Sequence, residues 1–146
     1  MGFQLREGPP NIAYFQQSGS TANEWYPGDP VILSSGKVII ATSGANVLGI
    51  AAKAATGTAN SWIPVHLLSL EQIWSIGVDG ATTPAIASHV GVNYDLTIAA
   101  GATVLNIAGT TATGWFVIGL DGRDTPALGS RVLVKAESDT LQIFGD

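Results

Sequence analysis

The stretch from residue 115 to residue 136 decides the fold class: Trp115-Phe116-Val117-Ile118-Gly119-Leu120, the turn sequence Asp121-Gly122-Arg123-Asp124, and Arg131-Val132-Leu133-Val134-Lys135-Ala136. Both apolar runs are short and rich in β-branched and aromatic residues, so they predict two strands. Similar runs, separated by turn residues, continue along the chain, and no segment of a dozen residues keeps a helical period. An all-β fold is therefore predicted, either a small β-barrel or a β-sandwich.

Working outward, the middle of the chain predicts a β-meander of short strands. Turn sequences at Pro27-Gly28, Ser34-Ser35-Gly36 and Ser43-Gly44-Ala45-Asn46 separate strands that begin near residues 31, 37 and 47. Another run, residues 62–68, contains Pro64, which has no N–H to donate, so this strand is expected at a sheet edge. Residues 71–78 form the next predicted strand, ending at Asp79-Gly80, a pair typical of a tight hairpin.

A weak internal similarity links the two halves of the chain. Val47-Leu48-Gly49-Ile50 precedes Val65 at nearly the distance by which Val117-Ile118-Gly119-Leu120 precedes Val134. Since no third copy follows, the similarity does not predict a solenoid. With 146 residues in total, we expect one β domain over residues 25–146.

The first 24 residues are expected to form an extended N-terminal arm. Pro9-Pro10 disfavours regular structure there, yet five side chains are too apolar for a solvated tail: Phe3, Leu5, Ile12, Tyr14 and Phe15. Two interpretations stay open, an arm packed on its own domain as an extra strand, or an arm that extends onto a neighbouring subunit.

Composition excludes several classes of function. Only 12% of the residues are charged, the net charge is −5, and there are six Lys and Arg in total, so a nucleic-acid partner is not expected. No apolar stretch reaches the roughly 18 residues of a membrane span, so no membrane partner is expected either. The chain has no cysteine, which removes disulfides and thiolate chemistry.

The chain lacks a recognisable catalytic motif, so we predict no enzymatic activity, no cofactor and no metal site. His66 and His89 lie in separate segments without metal-ligand spacing. Two alternatives remain open. One is a carbohydrate-binding module or tail-associated adhesin that uses exposed members of the four tryptophans, Trp25, Trp62, Trp74 and Trp115. The other is a small hydrolase with a divalent cation near Asp121 and Asp124.

Several strand and turn sequences, in this order, resemble phage capsid decoration (cement) proteins of tailed double-stranded DNA phages. In the first half they are Pro27-Gly28-Asp29-Pro30-Val31, Ser35-Gly36-Lys37-Val38, Val47-Leu48-Gly49-Ile50-Ala51 and Pro64-Val65-His66-Leu67. In the second half they are Ile76-Gly77-Val78-Asp79-Gly80, Gly91-Val92-Asn93-Tyr94-Asp95-Leu96, Val117-Ile118-Gly119-Leu120-Asp121 and Arg131-Val132-Leu133-Val134-Lys135. The resemblance covers about residues 25 to 136.

The resemblance implies a structural virion protein, made in the cytoplasm of the bacterial host and located on the outer capsid surface. It implies a homotrimer that binds the major capsid protein of the phage and stabilises the shell. On this hypothesis the contacts come from the arm residues Phe3, Leu5, Ile12, Tyr14 and Phe15. Deleting residues 1–15 should then leave a folded body that no longer binds capsids.

Overall fold

Strands account for nearly all the regular structure, which confirms the predicted all-β fold. The computed structural model describes residues 2–19, 24–42, 46–79, 87–108, 114–122, 130–137 and 140–142. These residues form a short 3-10 helix, Ala87–His89, and eleven strands: β1 (Gln4–Glu7), β2 (Ile12–Gln16), β3 (Pro30–Ser34), β4 (Lys37–Ile40), β5 (Gly49–Ala51), β6 (Trp62–Leu67), β7 (Ile73–Asp79), β8 (Asn93–Thr97), β9 (Val104–Asn106), β10 (Trp115–Leu120) and β11 (Arg131–Ala136).

The first five-stranded sheet closes into a small barrel. Its strand order is β2-β6-β5-β3-β4, with antiparallel neighbours throughout. A parallel bridge between Gln17 and Val38, with the Ser18 N–H donating to the Val38 carbonyl at 3.2 Å, joins β4 back to the end of β2. Closure encloses a core that includes Val31, Val38 and Val65.

A second barrel follows along the chain, in the order β7-β11-β10-β8-β9. Parallel pairing of Val78 with Leu105 brings β9 back to β7 and closes it. The strand β1 is added outside this ring, antiparallel to the first half of β7. The core of this barrel includes Trp115, Val117 and Val134.

The two barrels have the same topology, pairing for pairing. Strands β2 to β6 correspond in order to β7 to β11, and four antiparallel pairings plus one parallel closure recur in both. The register agrees as well: Phe15 pairs with Ile63 as Ile76 pairs with Val132, and Val31 pairs with Gly49 as Tyr94 pairs with Trp115. The structure is therefore an internal repeat of one five-stranded unit.

Two glycines mark this repeat at the start of β3 and β8. Gly28 and Gly91 each lie two residues before their strand and have positive φ angles of 94° and 85°, which favour glycine. The Gly28 N–H donates to the Ala51 carbonyl at 2.9 Å, and the Gly91 N–H donates to the Val117 carbonyl at 2.8 Å. Equivalent turns thus precede equivalent strands in the two barrels.

The chain ends cross between the barrels. The N-terminal strand β1 lies on the second barrel, whereas residues 140–142 lie on the first. There the Leu33 N–H donates to Gln142 Oε1 at 2.8 Å, and Gln142 Nε2 donates to the Leu33 carbonyl at 3.1 Å. The Val47 N–H also donates to the Thr140 carbonyl at 2.6 Å. Each barrel is therefore completed by a segment from the other half of the sequence.

The N-terminal segment differs from the expected extended arm. Residues 4–7 and 12–16 are strands of the two sheets, so residue 24 does not separate an arm from a body, and β2 is the first strand of the first barrel. Pro9-Pro10 lies in the connection between the strands, and the buried Gln72 side chain donates to the Pro9 carbonyl at 3.1 Å. Prolines there break the strand without detaching the segment.

The prediction that residues 62–68 form an edge strand is wrong, because β6 lies between β2 and β5. The Leu67 N–H donates to the Asn11 carbonyl, and the Gln17 N–H donates to the Ser61 carbonyl, so the odd-numbered residues of β6 form the hydrogen bonds to β2. Pro64 is an even-numbered residue and therefore needs no N–H for this pairing. Its nitrogen faces the side of β5, which ends at Ala51. Pro64 is therefore accommodated in an interior strand.

The hairpin predicted at Asp79-Gly80 also differs from the structure. Asp79 pairs in parallel with Asn106 of β9, and β7 does not pair with the next strand, β8. Gly80 lies outside the described residues. Barrel closure requires a parallel neighbour at this end of β7, and an antiparallel hairpin would occupy that position.

A buried carboxylate joins the two barrels. Asp29, which is fully buried, accepts hydrogen bonds from the Tyr26 N–H at 2.9 Å, the Gly101 N–H at 2.8 Å and the Thr103 hydroxyl at 3.0 Å. Tyr26 lies in the first barrel's half of the chain, and Gly101 and Thr103 lie between β8 and β9. One side chain therefore satisfies donors from both halves.

We expect Asp29→Ala to lower the free energy of unfolding by about 3 kcal/mol, since it leaves donors from both barrels without their charged acceptor. Urea unfolding measures the change. The control is Glu71→Ala at an exposed position, where a change within about 0.5 kcal/mol is expected. Equal stability of the two variants would contradict the role of Asp29 in joining the two barrels.

Candidate protein-binding surface

Three of the five predicted contact residues are packing residues. Phe3 is only 4% exposed, and its ring centroid lies 4.5 Å from that of Trp115 and 6.1 Å from that of Trp74. Leu5 packs against the same core, and Phe15 packs against the core of the first barrel. In this structure these side chains cover the chain's own cores, so the hypothesis that they contact a capsid is not supported by their positions.

Ile12 and Tyr14 are exposed, and the structure adds Trp62 to them. The exposed fractions are 48% for Ile12, 63% for Tyr14 and 65% for Trp62. Antiparallel register places Tyr14 opposite Pro64, and Gln16 opposite Trp62, so Tyr14 and Trp62 are diagonal neighbours on one face of the sheet. We call Ile12, Tyr14 and Trp62 the outer patch, because the alternate residues Phe15, Ile63 and Val65 belong to the core.

Charge is absent from the two strands that carry the outer patch. Neither Ile12–Gln16 nor Trp62–Leu67 contains Asp, Glu, Lys or Arg. A partner that covers this face would not have to remove water from a carboxylate, ammonium or guanidinium group on either strand. Tyrosine and tryptophan are also among the residues most enriched at the energetic centres of protein interfaces.

The remaining tryptophans do not contribute to an exposed face. Trp25, Trp74 and Trp115 are buried, and the Trp25 indole N–H donates to the Lys53 carbonyl at 2.9 Å. Of the aromatic side chains considered for a carbohydrate-binding face, Trp62 is exposed. The sequence marks Trp62 as a strand residue, but its direction follows only from the register with β2, which sequence alone did not predict.

The acidic residue considered for a cation site has protein partners instead. Asp121 is buried and receives hydrogen bonds from Arg6 at 3.0 and 3.2 Å and from the Ser75 hydroxyl at 2.6 Å. Arg131 in turn donates to the Ser75 hydroxyl at 2.9 Å and to the Gly2 carbonyl at 3.0 Å. This network attaches β1 to the second barrel, while Asp124 lies outside the described residues.

Two other titratable side chains, His66 and Tyr94, are packed against the protein's own residues. The His66 ring packs edge-on against Trp74 with centroids 6.1 Å apart. Burial raises the pKa of the Tyr94 phenol, so this core side chain is neutral at ordinary pH. Within the described ranges, no group of three or more His, Asp or Glu residues is arranged to hold a metal ion. No helix in the described part of the chain is long and apolar enough to cross a membrane.

Comparisons with protein-family models, with curated proteins and with solved structures give no match to this chain.

Because Phe3 fills a space between Trp74 and Trp115, we expect Phe3→Ala to lower the free energy of unfolding by about 4 kcal/mol. Thermal and urea unfolding measure this loss, and Tyr14→Ala is the matched control for truncating an exposed aromatic residue. Wild-type stability of Phe3→Ala would mean that the N-terminal segment does not pack as described.

Because residues 1–15 include β1 and most of β2, their deletion is expected to disrupt both barrels, contrary to the sequence-based expectation.

Proposed function

We propose that this chain is a structural virion protein that binds the outer surface of a phage capsid and stabilises the shell, without enzymatic activity. The observation that carries this proposal is the outer patch, an uncharged aromatic and aliphatic surface on a closely tied pair of barrels. The proposal follows the order of strand and turn sequences that resembles capsid decoration proteins. It replaces Phe3, Leu5 and Phe15 with Trp62 as a contact residue and keeps Ile12 and Tyr14.

The energetics suit adhesion to a protein surface. Burying a patch that contains Tyr and Trp supplies the kind of contact that dominates measured binding energies. A homotrimer, which is part of the proposal, would present three outer patches to the major capsid protein. Linked sites of modest affinity bind much more tightly together than singly, provided that the geometry allows simultaneous contact.

A cement protein must also resist deformation, and the internal bonding of this chain supports such a role. Asp29 links the halves through two donors of the second half, the Gly101 N–H and the Thr103 hydroxyl, and the Arg6–Asp121 ion pair, at 3.0 Å, holds β1 in place. Crossing of the two chain ends adds further attachments. Deformation that separates the barrels would have to break the bonds from Asp29 to Gly101 and Thr103 and those between Gln142 and Leu33.

A second candidate function, glycan binding by an adhesin, rests on Tyr14 and Trp62. Two exposed aromatic rings on one sheet face could stack against sugar rings, and both are on the outer patch. Because the other three tryptophans are buried, Trp62 is the tryptophan that such a site would use, with Tyr14 beside it. A glycan array probed with wild-type protein distinguishes this candidate from capsid binding.

We expect the double variant Tyr14→Ser, Trp62→Ser to bind undecorated capsids at least about 30-fold more weakly than wild type, because the loss of even one hot-spot residue costs about 2 kcal/mol or more. Co-sedimentation with capsids measures the affinity, and light scattering tests the expected trimer mass. Leu70→Ser is the control, since Leu70 is an exposed hydrophobic residue outside the patch. Wild-type protein that ignores capsids, or a double variant that binds normally, would count against the proposal.

A further inference from the structure

The outer edge of β2 carries backbone groups that point away from the sheet. Hydrogen bonds between Leu67 and Asn11 and between Gln17 and Ser61 show that odd-numbered residues of this strand face β6. Backbone alternation in an antiparallel pair then directs the N–H and C=O groups of Ile12 and Tyr14 to the opposite side. Among the described residues no strand pairs with this part of β2, since the closing bridge to β4 lies further along, at Gln17.

The internal repeat indicates what such an edge accepts. Ile12, Ala13 and Tyr14 correspond to Ile73, Trp74 and Ser75 of β7, because each set occupies the same register against the next barrel strand. In the second barrel this edge is filled: β1 pairs antiparallel with it, Gln4 with Ser75 and Leu5 with Trp74. One of two equivalent strand positions is therefore occupied, and the other is open as far as the described residues extend.

The open edge also lacks the features that protect edge strands from pairing. Charged residues, prolines and bulges are the usual protection, and β2 has no charge, no proline and an uninterrupted register with β6. In contrast, β1, which borders the other sheet, carries Arg6 and Glu7, has a shift in register after Leu5 and leads into Pro9-Pro10. The sheet edge at β1 is protected, and the edge at β2 is suited to pairing.

We propose that the edge of β2 at Ile12–Tyr14 is a binding slot for one extended segment of the partner protein, which adds to the sheet as an antiparallel strand in the way that β1 adds to β7. The proposal rests on the proposed function only in identifying the capsid protein as the source of that segment. Backbone hydrogen bonds to Ile12 and Tyr14 supply affinity, and alternate side chains supply specificity.

Regular antiparallel pairing, without the bulge that β1 has after Leu5, specifies the chemistry of the bound segment. The residue opposite Tyr14 and the residue opposite Ile12 then lie two apart and point to the outer face, beside the outer patch. Apolar or aromatic side chains fit there, since their neighbours are Ile12, Tyr14 and Trp62. The residue between them, opposite Ala13, corresponds to Leu5, which packs against a core. The slot thus favours a short segment with consecutive apolar residues and no proline at the paired positions.

A library of random twelve-residue peptides displayed on yeast tests the slot without any capsid. We expect wild-type protein to enrich apolar, β-prone peptides, and we expect bound peptide to slow hydrogen exchange at the amides of Ile12 and Tyr14. Failure to enrich such peptides, or bound peptides that leave both amides unprotected, would overturn the slot.

Two variants at one position separate the backbone contact from the side chain. Tyr14→Pro removes an N–H that points to the open edge and is not used by β6, whereas Tyr14→Ala keeps it. We expect Tyr14→Pro to bind the selected peptides about fivefold more weakly than Tyr14→Ala, the effect of one hydrogen bond. Equal binding would overturn the slot; if Tyr14→Pro fails to fold in a thermal melt, the amide exchange of wild type decides.

Capsid binding is measured separately, so the two proposals can fail independently. If the protein binds capsids through the outer patch but enriches no peptide, the proposed function stands and the slot is overturned. If it enriches peptides at β2 but does not bind capsids, the slot stands and the capsid protein is not its partner.

Discussion

Closure of each barrel by a short parallel pairing is the constraint on which the rest of the structure depends. Without the bridge between Gln17 and Val38, the first sheet would be an open sheet with two exposed edges, and its apolar face would not be enclosed. The equivalent pairing of Val78 with Leu105 performs the same task in the second barrel. Val38 and Leu105, which occupy equivalent positions, are both fully buried.

Apolar contacts also link the two units. Phe3 contributes an aromatic ring to the core that also contains Trp74 and Trp115, while Ile50 from β5 joins the same core. Buried polar groups, Asp29 and Asp121 among them, then fix the relative position of the parts through directional bonds. Apolar burial is non-directional, so these hydrogen bonds determine which of several packed arrangements is adopted.

Local patterns predicted most strands but not their neighbours. The runs at 115–120 and 131–136 were predicted as strands from their β-branched and aromatic content, and Pro27-Gly28 correctly marked the turn before β3. The strand β9 was missed because Val104–Asn106 is short and follows small residues. Pro64 was misplaced at an edge because its tolerance depends on where β5 ends, which is a property of the whole sheet.

The internal repeat of the two barrels is only weakly visible in the sequence. Val65 and Val134, which drew attention to an internal similarity, are equivalent in the two barrels, but Gly49 corresponds to Trp115 and not to Gly119. Backbone pairing tolerates such exchanges, because a strand position constrains direction and burial more than side-chain identity. Most equivalent positions therefore carry different residues.

The same repeat explains why the candidate binding surface could be only partly predicted. The sequence predicts Ile12 and Tyr14 as contact residues together with Phe3, Leu5 and Phe15, since composition does not distinguish inward from outward side chains. Burial separates the two groups, and the register with β6 adds Trp62. What differs between the barrels, within the described ranges, is the neighbour of the first strand: β1 pairs with β7, and no strand pairs with Ile12–Tyr14. An inner strand such as β7 buries both of its edges, whereas the edge at Ile12–Tyr14 keeps two apolar side chains exposed.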